Sequence, residues 1–464
     1  MKNQELLKSS TAIEKATSKI RSFIDQIVDG ESFVETDVFV TGKQFDSALD
    51  ALGEGVVTGY ATIGGRPVHL FAQNAEVLKG SMSRAHATKI IKAMKRAVAS
   101  GTPFLSIIDS CGARVGEGAG VMEGYADVLA ESFRLAQEVP HFCIVKGTAV
   151  GMMATYVAGA DFAFMSSDAV MSVNSPMYLA AQTKAMPVDY KKLLGVGAYK
   201  NTDMVQFSYK NAKDLAEQLH RLMDMILPNE EDESDDDANR VDPKLESYKN
   251  ADQRVASICD LDQVVPYCDG YANDTYCAIG KINGITVGVL ATQGEYMSEA
   301  GMDKAIGFVN KLEAFGLPLV TLVDTNGINP TLEQECAGIA KKANELMQTI
   351  ALAEIEKIGV AVGNAVGFGY TALMSKGMGF GYTMATSNAV VSPIAGTTAV
   401  NALMDEQLKK AKDVDKTRAT LEKEYAKMQA NPMVAAQEGY LDNVIEATNL
   451  RPYIASALLM LLGI

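Results

Sequence analysis

Two short glycine-bearing stretches could do chemistry through their backbone alone. One reads Gly147-Thr-Ala-Val-Gly151-Met-Met153 and the other Gly363-Asn-Ala-Val-Gly367-Phe-Gly369. Each follows a β-prone run and precedes a helix-prone one. A helix N-terminus presents unpaired N–H groups and the positive end of the helix dipole. Two such N–H groups aimed at one oxygen form an oxyanion hole, which stabilises charge developing on a carbonyl oxygen without any side chain reacting. The same glycines also suit close packing and left-handed turns, so the stretches alone leave both readings open.

Other chemistries find little footing. The chain has no Gly-x-Ser-x-Gly elbow, HExxH or P-loop, and Gly116-Glu-Gly118-Ala-Gly120 does not match a dinucleotide fingerprint. His69, His86, His141 and His220 form no cluster, and a general base needs a positioned partner. The six cysteines show no CxxC spacing, so no metal site is expected and reduced thiols are the simplest state. A net charge of −15 argues against nucleic-acid binding, while leaving room for a local basic patch facing a small anion. The N-terminus carries no signal-peptide h-region, and no apolar run reaches the roughly 18 residues that span a bilayer. A cytoplasmic protein is the expectation.

The elements that must position the two stretches come as a repeat. Gly101–Gly112, with Asp109 near its end, returns as Gly316–Gly327 with Asp324; Ser167–Ser172 returns as Ser387–Ser392. The order is kept and the spacing nearly constant, which marks a duplicated domain. Each copy opens with two β-prone runs about a tight turn, at Gly64-Gly65 and Asn283-Gly284, both hairpin signals. A helix follows: Ile90, Ile91, Met94, Ala97 and Val98 share one face, with Ser83 as N-cap. A buried-type strand comes next, Phe104–Ile108 or Leu319–Val323, then a helix and a strand over Phe142–Val145 or Gly359–Val362. This alternation implies an α/β fold with a largely parallel sheet. The acidic run Pro228–Asp237 reads as a solvated loop or linker, and deleting Glu230–Asp237 across a short Gly/Ser bridge should change stability little. Domains of 1–235 and 236–464 follow. The apolar stretch Ile454–Ile464 reads as a packed helix.

Three groups of motifs carry a family resemblance: Gly53–Val68, Asp109-Ser-Cys-Gly-Ala-Arg-Val-Gly-Glu-Gly118, and Asn431-Pro-Met-Val-Ala-Ala-Gln-Glu-Gly-Tyr-Leu-Asp442. Together with Gln334-Glu335 and Lys376, they resemble the carboxyltransferase subunits of biotin-dependent acyl-CoA carboxylases and decarboxylases. Propionyl-CoA carboxylase β and methylmalonyl-CoA decarboxylase α subunits are the nearest types. The resemblance implies two tandem crotonase-like (ClpP/crotonase) ββα-superhelix domains, the first on the acyl-CoA side and the second on the biotin side. It places one oxyanion pair on Gly151 and Met152, for a thioester enolate. It places another on Phe368 and Gly369, or one residue to either side, for the ureido oxygen of N-carboxybiotin. Gly112, Ala113, Arg114 and Thr371 fall at substrate-binding positions. Met152 and Phe368 stand where the family often has glycine.

The resemblance further implies a coenzyme A thioester substrate and biotin held on a separate biotin carboxyl carrier protein. Biotin carboxylase or a membrane decarboxylase subunit would be a further partner. The implied assembly is a homo-hexamer, a trimer of dimers in which the N-terminal domain of one subunit faces the C-terminal domain of another. Ala93-Met94-Lys95 has the start of a biotin-acceptor motif, but Arg96 follows it and it lies on a predicted amphipathic helix. The alternatives that stay open are the carboxyltransferase component of a biotin-dependent sodium-pumping acyl-CoA decarboxylase, a biotin-independent crotonase-type acyl-CoA enzyme, with Glu117 and Glu123 as candidate carboxylates, and a non-catalytic partner that keeps the fold.

Overall fold

The computed structural model describes residues 2–42, 51–183, 189–199, 201–227 and 236–464. The chain divides into two compact units, Met1–Leu222 and Met223–Ile464, the division falling within the helix Ala212–Ile226. Among the described residues each unit holds one eight-stranded sheet, and the strand order is the same in both. In the first unit the order is Val34–Thr36, Val56–Ile63, Arg66–Gln73, Phe104–Ser110, His141–Val150, Phe162–Ser166 and Phe207–Tyr209, with Val170–Ser172 added to the end of His141–Val150. In the second it is Val264–Tyr267, Thr275–Ile282, Ile285–Thr292, Leu319–Thr325, Lys357–Val366, Tyr382–Thr386 and Asn443–Ile445, with Val390–Ser392 added likewise. The leading strands pair antiparallel and the rest parallel.

Both hairpins turn where the sequence indicates. Ile63 pairs with Arg66 and Ile282 with Ile285, leaving two-residue loops. Gly64, Gly65, Asn283 and Gly284 all have positive φ, as a type I′ turn requires. Each turn is held by a carboxylate: Asp29 accepts from the N–H groups of Gly64 and Gly65 at 3.0 and 2.8 Å, and Asp260 from those of Asn283 and Gly284 at 2.9 and 2.8 Å.

The predicted helix spans Arg84–Ser100. The Ser83 side chain caps it by accepting from the N–H of His86 at 3.0 Å, and Gly101 ends it in a left-handed conformation. Ile90, Met94 and Ala97 are fully buried on its inner face, in a core shared with Phe71 and Phe104 of the sheet. Truncating Ile90 or Met94 to alanine costs about 2–5 kcal/mol. In the second unit Val289, Val320, Leu322 and Val360 line the core, and the C-terminal helix Leu450–Leu462 packs Ile454 and Leu458 against it.

Two expectations need correction. The central strands do not stop at Val145 and Val362; they run on to Val150 and Val366, where Thr148–Val150 and Asn364–Val366 pair with Val170–Ser172 and Val390–Ser392. The strand persists because its second edge finds a short extra partner, which no local propensity announces. The acidic run is also only partly a linker. Residues 228–235 lie outside the described residues, but Asp236 accepts from Arg240 at 3.1 Å and from the N–H of Leu261 at 3.2 Å. It also lies 3.4 Å from the buried Arg451.

Candidate functional site

The two central strands of each sheet end side by side. Ser110 pairs with Ala149 and Thr325 with Ala365, in each case just after a register shift in the ladder. Asp109 and Asp324 stand at those shifts. Asp109 accepts from the N–H of Thr148 at 3.0 Å and from Lys146 Nζ at 3.0 Å. Asp324 accepts from the N–H of Asn364 at 2.9 Å and from Arg254 Nη1 at 2.7 Å.

Beyond the shift the chain turns at Gly112, with φ 107°, and at Gly327, with φ 102°. The Gly112 N–H donates to Ser110 Oγ at 3.1 Å, its carbonyl accepts from Met82, and the Arg114 N–H donates back to the Met82 carbonyl at 2.8 Å. Ala113, between them, forms an isolated parallel bridge with Met82. The second unit repeats the arrangement: Gly327 donates to Thr325 Oγ1 at 3.2 Å, Met297 bonds Gly327 and Asn329, and Ile328 lies between.

The neighbouring strand ends at Val150 or Val366, and the next residue, Gly151 or Gly367, caps a short helix, Met152–Ala158 or Phe368–Leu373. The N–H groups of these glycines are spent. Gly151 donates to the Ser172 carbonyl at 3.0 Å and Gly367 to the Ser392 carbonyl at 3.0 Å. The N–H groups of Met152 and Phe368, at the first helical position, have no acceptor among the described residues, and neither do those of Ala113 and Ile328. The two turns adjoin: a Cβ at Gly112 would lie 3.5 Å from the Val150 carbonyl oxygen, and one at Gly327 would lie 3.7 Å from the Phe368 nitrogen. Each unit therefore sets an unpaired N–H on one turn beside an unpaired N–H on the next. Ile328 escaped the sequence reading, although it follows Gly327 in the repeat as Ala113 follows Gly112.

The remaining predicted residues divide. Gly369 is buried, and a Cβ there would meet Thr325 Cγ2 at 2.7 Å, so its lack of a side chain lets the helix lie on the strand. The Thr371 hydroxyl donates to the Gly367 carbonyl at 3.0 Å. Thr371, Gly367 and Tyr370 line a cavity of about 420 Å³ completed by Val391, Glu438 and Tyr440, among others. Arg114 is turned inward: it donates to Glu54 Oε2 at 2.7 Å and to the Ser81 carbonyl at 3.2 Å. Glu54 is itself buried and accepts from Ser83 and the Gly42 N–H as well. Glu117 accepts from the Arg84 N–H at 2.8 Å, and Glu123 is exposed.

Neither central histidine resembles a poised base. His86 is fully buried, its Nδ1 lies 2.9 Å from the Glu54 carbonyl, and burial pushes its pKa down to about 3. His141 is fully buried with Nε2 against Ser106 Oγ at 2.9 Å and the Tyr156 hydroxyl at 3.2 Å. Among the described residues no group of three or more His, Cys, Asp or Glu side chains is placed to hold a metal ion, and no helix is long and apolar enough to cross a membrane.

The carboxyl transferase domain matches residues 13–462, almost the whole chain. The chain belongs to the carboxyl transferase family. It is 31% identical to the methylmalonyl-CoA carboxyltransferase 12S subunit of Propionibacterium freudenreichii subsp. shermanii, over 95% of this chain and 88% of that protein. It is 29% identical to the methylmalonyl-CoA decarboxylase subunit alpha of Propionigenium modestum, over 96% and 90%. Among solved structures, transcarboxylase 12S, described as a hexamer with hydrolysed methylmalonyl-coenzyme A bound, superposes with a TM-score of 0.89 at 28% identity, covering 99% of this chain and 95% of that one. The fold is thus the two-domain crotonase-like fold of this family, and the enzyme is a biotin-dependent acyl-CoA carboxyltransferase.

Proposed function

We propose that the enzyme moves a carboxyl group between N-carboxybiotin on a separate carrier protein and the α-carbon of a short acyl-CoA, with backbone N–H pairs as its main catalytic groups. The observation that carries this reading is the duplicated pair of unpaired donors, Ala113 with Met152 and Ile328 with Phe368. In the first domain, the acyl-CoA side, the pair receives the thioester oxygen as the α-carbon takes on enolate character. A well-placed donor of this kind is worth about 100- to 1,000-fold in turnover. In the second domain the pair receives the ureido oxygen of biotin. The cavity lined by Thr371 and Tyr370 falls in the size range of small-molecule sites, roughly 300–1,000 Å³.

This assignment shifts the first pair from Gly151–Met152 to Ala113–Met152 and the second from Phe368–Gly369 to Ile328–Phe368. The engaged N–H of Gly151 supports the first shift; the second follows the repeat, in which Ile328 stands to Phe368 as Ala113 does to Met152. Arg114, with its guanidinium held by Glu54, shapes the Ala113 turn.

The proposed assembly is a homo-hexamer built as a trimer of dimers, the N-terminal domain of one subunit meeting the C-terminal domain of another. Exposure of Ala113 and of Met152, 40% exposed, is in keeping with a first site that a second surface completes. Biotin carboxylase or a membrane decarboxylase subunit would regenerate or discharge the carrier, and six free cysteines suit a cytoplasmic setting.

The decisive experiment is decarboxylation of methylmalonyl-CoA and malonyl-CoA by the purified protein with and without free biotin. Biotin-dependent turnover supports the reading. Turnover indifferent to biotin favours a biotin-independent crotonase-type decarboxylase, and no turnover favours a hydratase- or thioesterase-type enzyme or a non-catalytic partner.

A further inference from the structure

The two acidic residues at the strand ends have no part in the chemistry above, yet both copies keep them in one geometry. We propose that Asp109 and Asp324 are positioning residues, each setting the separation of the two N–H donors in its own domain. The proposal rests on the reading that those donors form the holes.

The ladder between the central strands breaks at Ile108/Ser110 and again at Val323/Thr325. A break of this kind leaves a facing backbone N–H without its ladder acceptor. The aspartate at the break supplies one. Asp109 Oδ1 accepts from Thr148 N–H at 3.0 Å, and Asp324 Oδ1 accepts from Asn364 N–H at 2.9 Å. The backbone bond is the shared element, because the cations on the other oxygen differ. Lys146 comes from the facing strand, whereas Arg254 comes from the helix Ala251–Ile258.

Glycine is needed for the approach. A Cβ at Gly147 would stand 2.3 Å from Asp109 Oδ1, and one at Gly363 would stand 2.1 Å from Asp324 Oδ1. The carboxylate therefore ties the two segments together at the last point before they separate. One segment runs on from Asp109 to the Ala113 N–H; the other runs on from Thr148 to the Met152 N–H. With both carboxylate oxygens engaged, neither aspartate is arranged as an acid or base. A hole works only when both donors reach one oxygen at about 2.7–3.1 Å, so small changes in their separation weaken it.

The test compares Asp109→Ala, Asp109→Asn, Lys146→Ala and the double variant Asp109→Ala/Lys146→Ala in free-biotin-dependent decarboxylation of methylmalonyl-CoA. Asp324 and Arg254 form the parallel set. For Asp109→Ala, kcat should fall about 10- to 100-fold, the scale of an ångström-level misplacement, with KM for the thioester little changed. Asp109→Asn, which keeps an acceptor for Thr148, should recover part of kcat. Lys146→Ala alone should stay near wild type, and the double variant should remain impaired. Thermal melting and light scattering establish that each variant is folded and assembled; if the alanine variants do not fold, the asparagine variants decide. A folded Asp109→Ala enzyme with wild-type kcat overturns the proposal. So does recovery in the double variant, which would reduce the role to neutralising Lys146. Wild-type protein lacking biotin-dependent turnover overturns the functional reading itself, a distinct result.

Discussion

The N–H of Gly151 donates to the carbonyl oxygen of Ser172 at 3.0 Å. An N–H spent on that bond is not available to a substrate oxygen, and the next N–H along the chain, that of Met152, is unpaired. Proline provides a clean probe of that donor. It removes the N–H, and its fixed φ suits the first helical position. Met152→Pro should stay folded and lose about 100-fold or more in kcat, whereas Met152→Ala, which keeps the N–H, should stay within a few-fold of wild type. Gly151→Pro is a poorer probe, because Gly151 has φ 71° and an engaged N–H, so loss of fold is expected. Full activity in folded Met152→Pro would remove Met152 from the hole.

The same substitution in the second domain should separate the two substrates. Phe368→Pro is expected to lower biotin-dependent turnover by about 100-fold while leaving binding of the CoA thioester near its wild-type strength. Calorimetric titration with methylmalonyl-CoA beside steady-state kinetics in free biotin reads both quantities. Lost thioester binding with normal dependence on biotin would reverse the assignment of the two domains.

His86 predicts a pH dependence of stability. Its folded pKa, about 3, lies below the unfolded value near 6.5, so the unfolded chain takes up a proton that the fold refuses. Its contribution to stability is complete above about pH 6.5 and is lost progressively as pH falls towards 3. Urea denaturation between pH 7.5 and 5 should show falling stability, and His86→Gln should flatten that slope. An unchanged slope would mean that His86 protonates inside the fold. His86→Gln should also leave kcat largely intact if the protein remains folded, since the imidazole has no assigned proton to move.

The acidic segment should split in two. Removing Glu230–Asp235 with a short Gly/Ser bridge is expected to leave the melting temperature nearly unchanged. Asp236→Ala should cost about 1–3 kcal/mol, because its carboxylate answers Arg240 and the Leu261 N–H and lies beside Arg451, itself only 2% exposed. Differential scanning calorimetry of the two variants tests this; equal melting temperatures would refute it.

Local structure was legible because its causes are local. The Gly64-Gly65 and Asn283-Gly284 turns follow from residues that accept positive φ, and the Ser83 cap reaches only to His86. The duplication, and the family it points to, could likewise be read from ordered motifs. The use made of each backbone group could not. Whether the Gly151 N–H is free depends on Ser172, which reaches it through a short strand paired with the end of the central strand His141–Val150. Whether Arg114 faces substrate or core depends on Glu54, 60 residues earlier. The amino-acid sequence by itself thus determined the repeated α/β architecture and the turns where donors gather. Only the tertiary structure decided which donors remain unpaired, because a hydrogen bond consumes its N–H through a partner chosen by chain packing, and that partner leaves no mark in the local sequence.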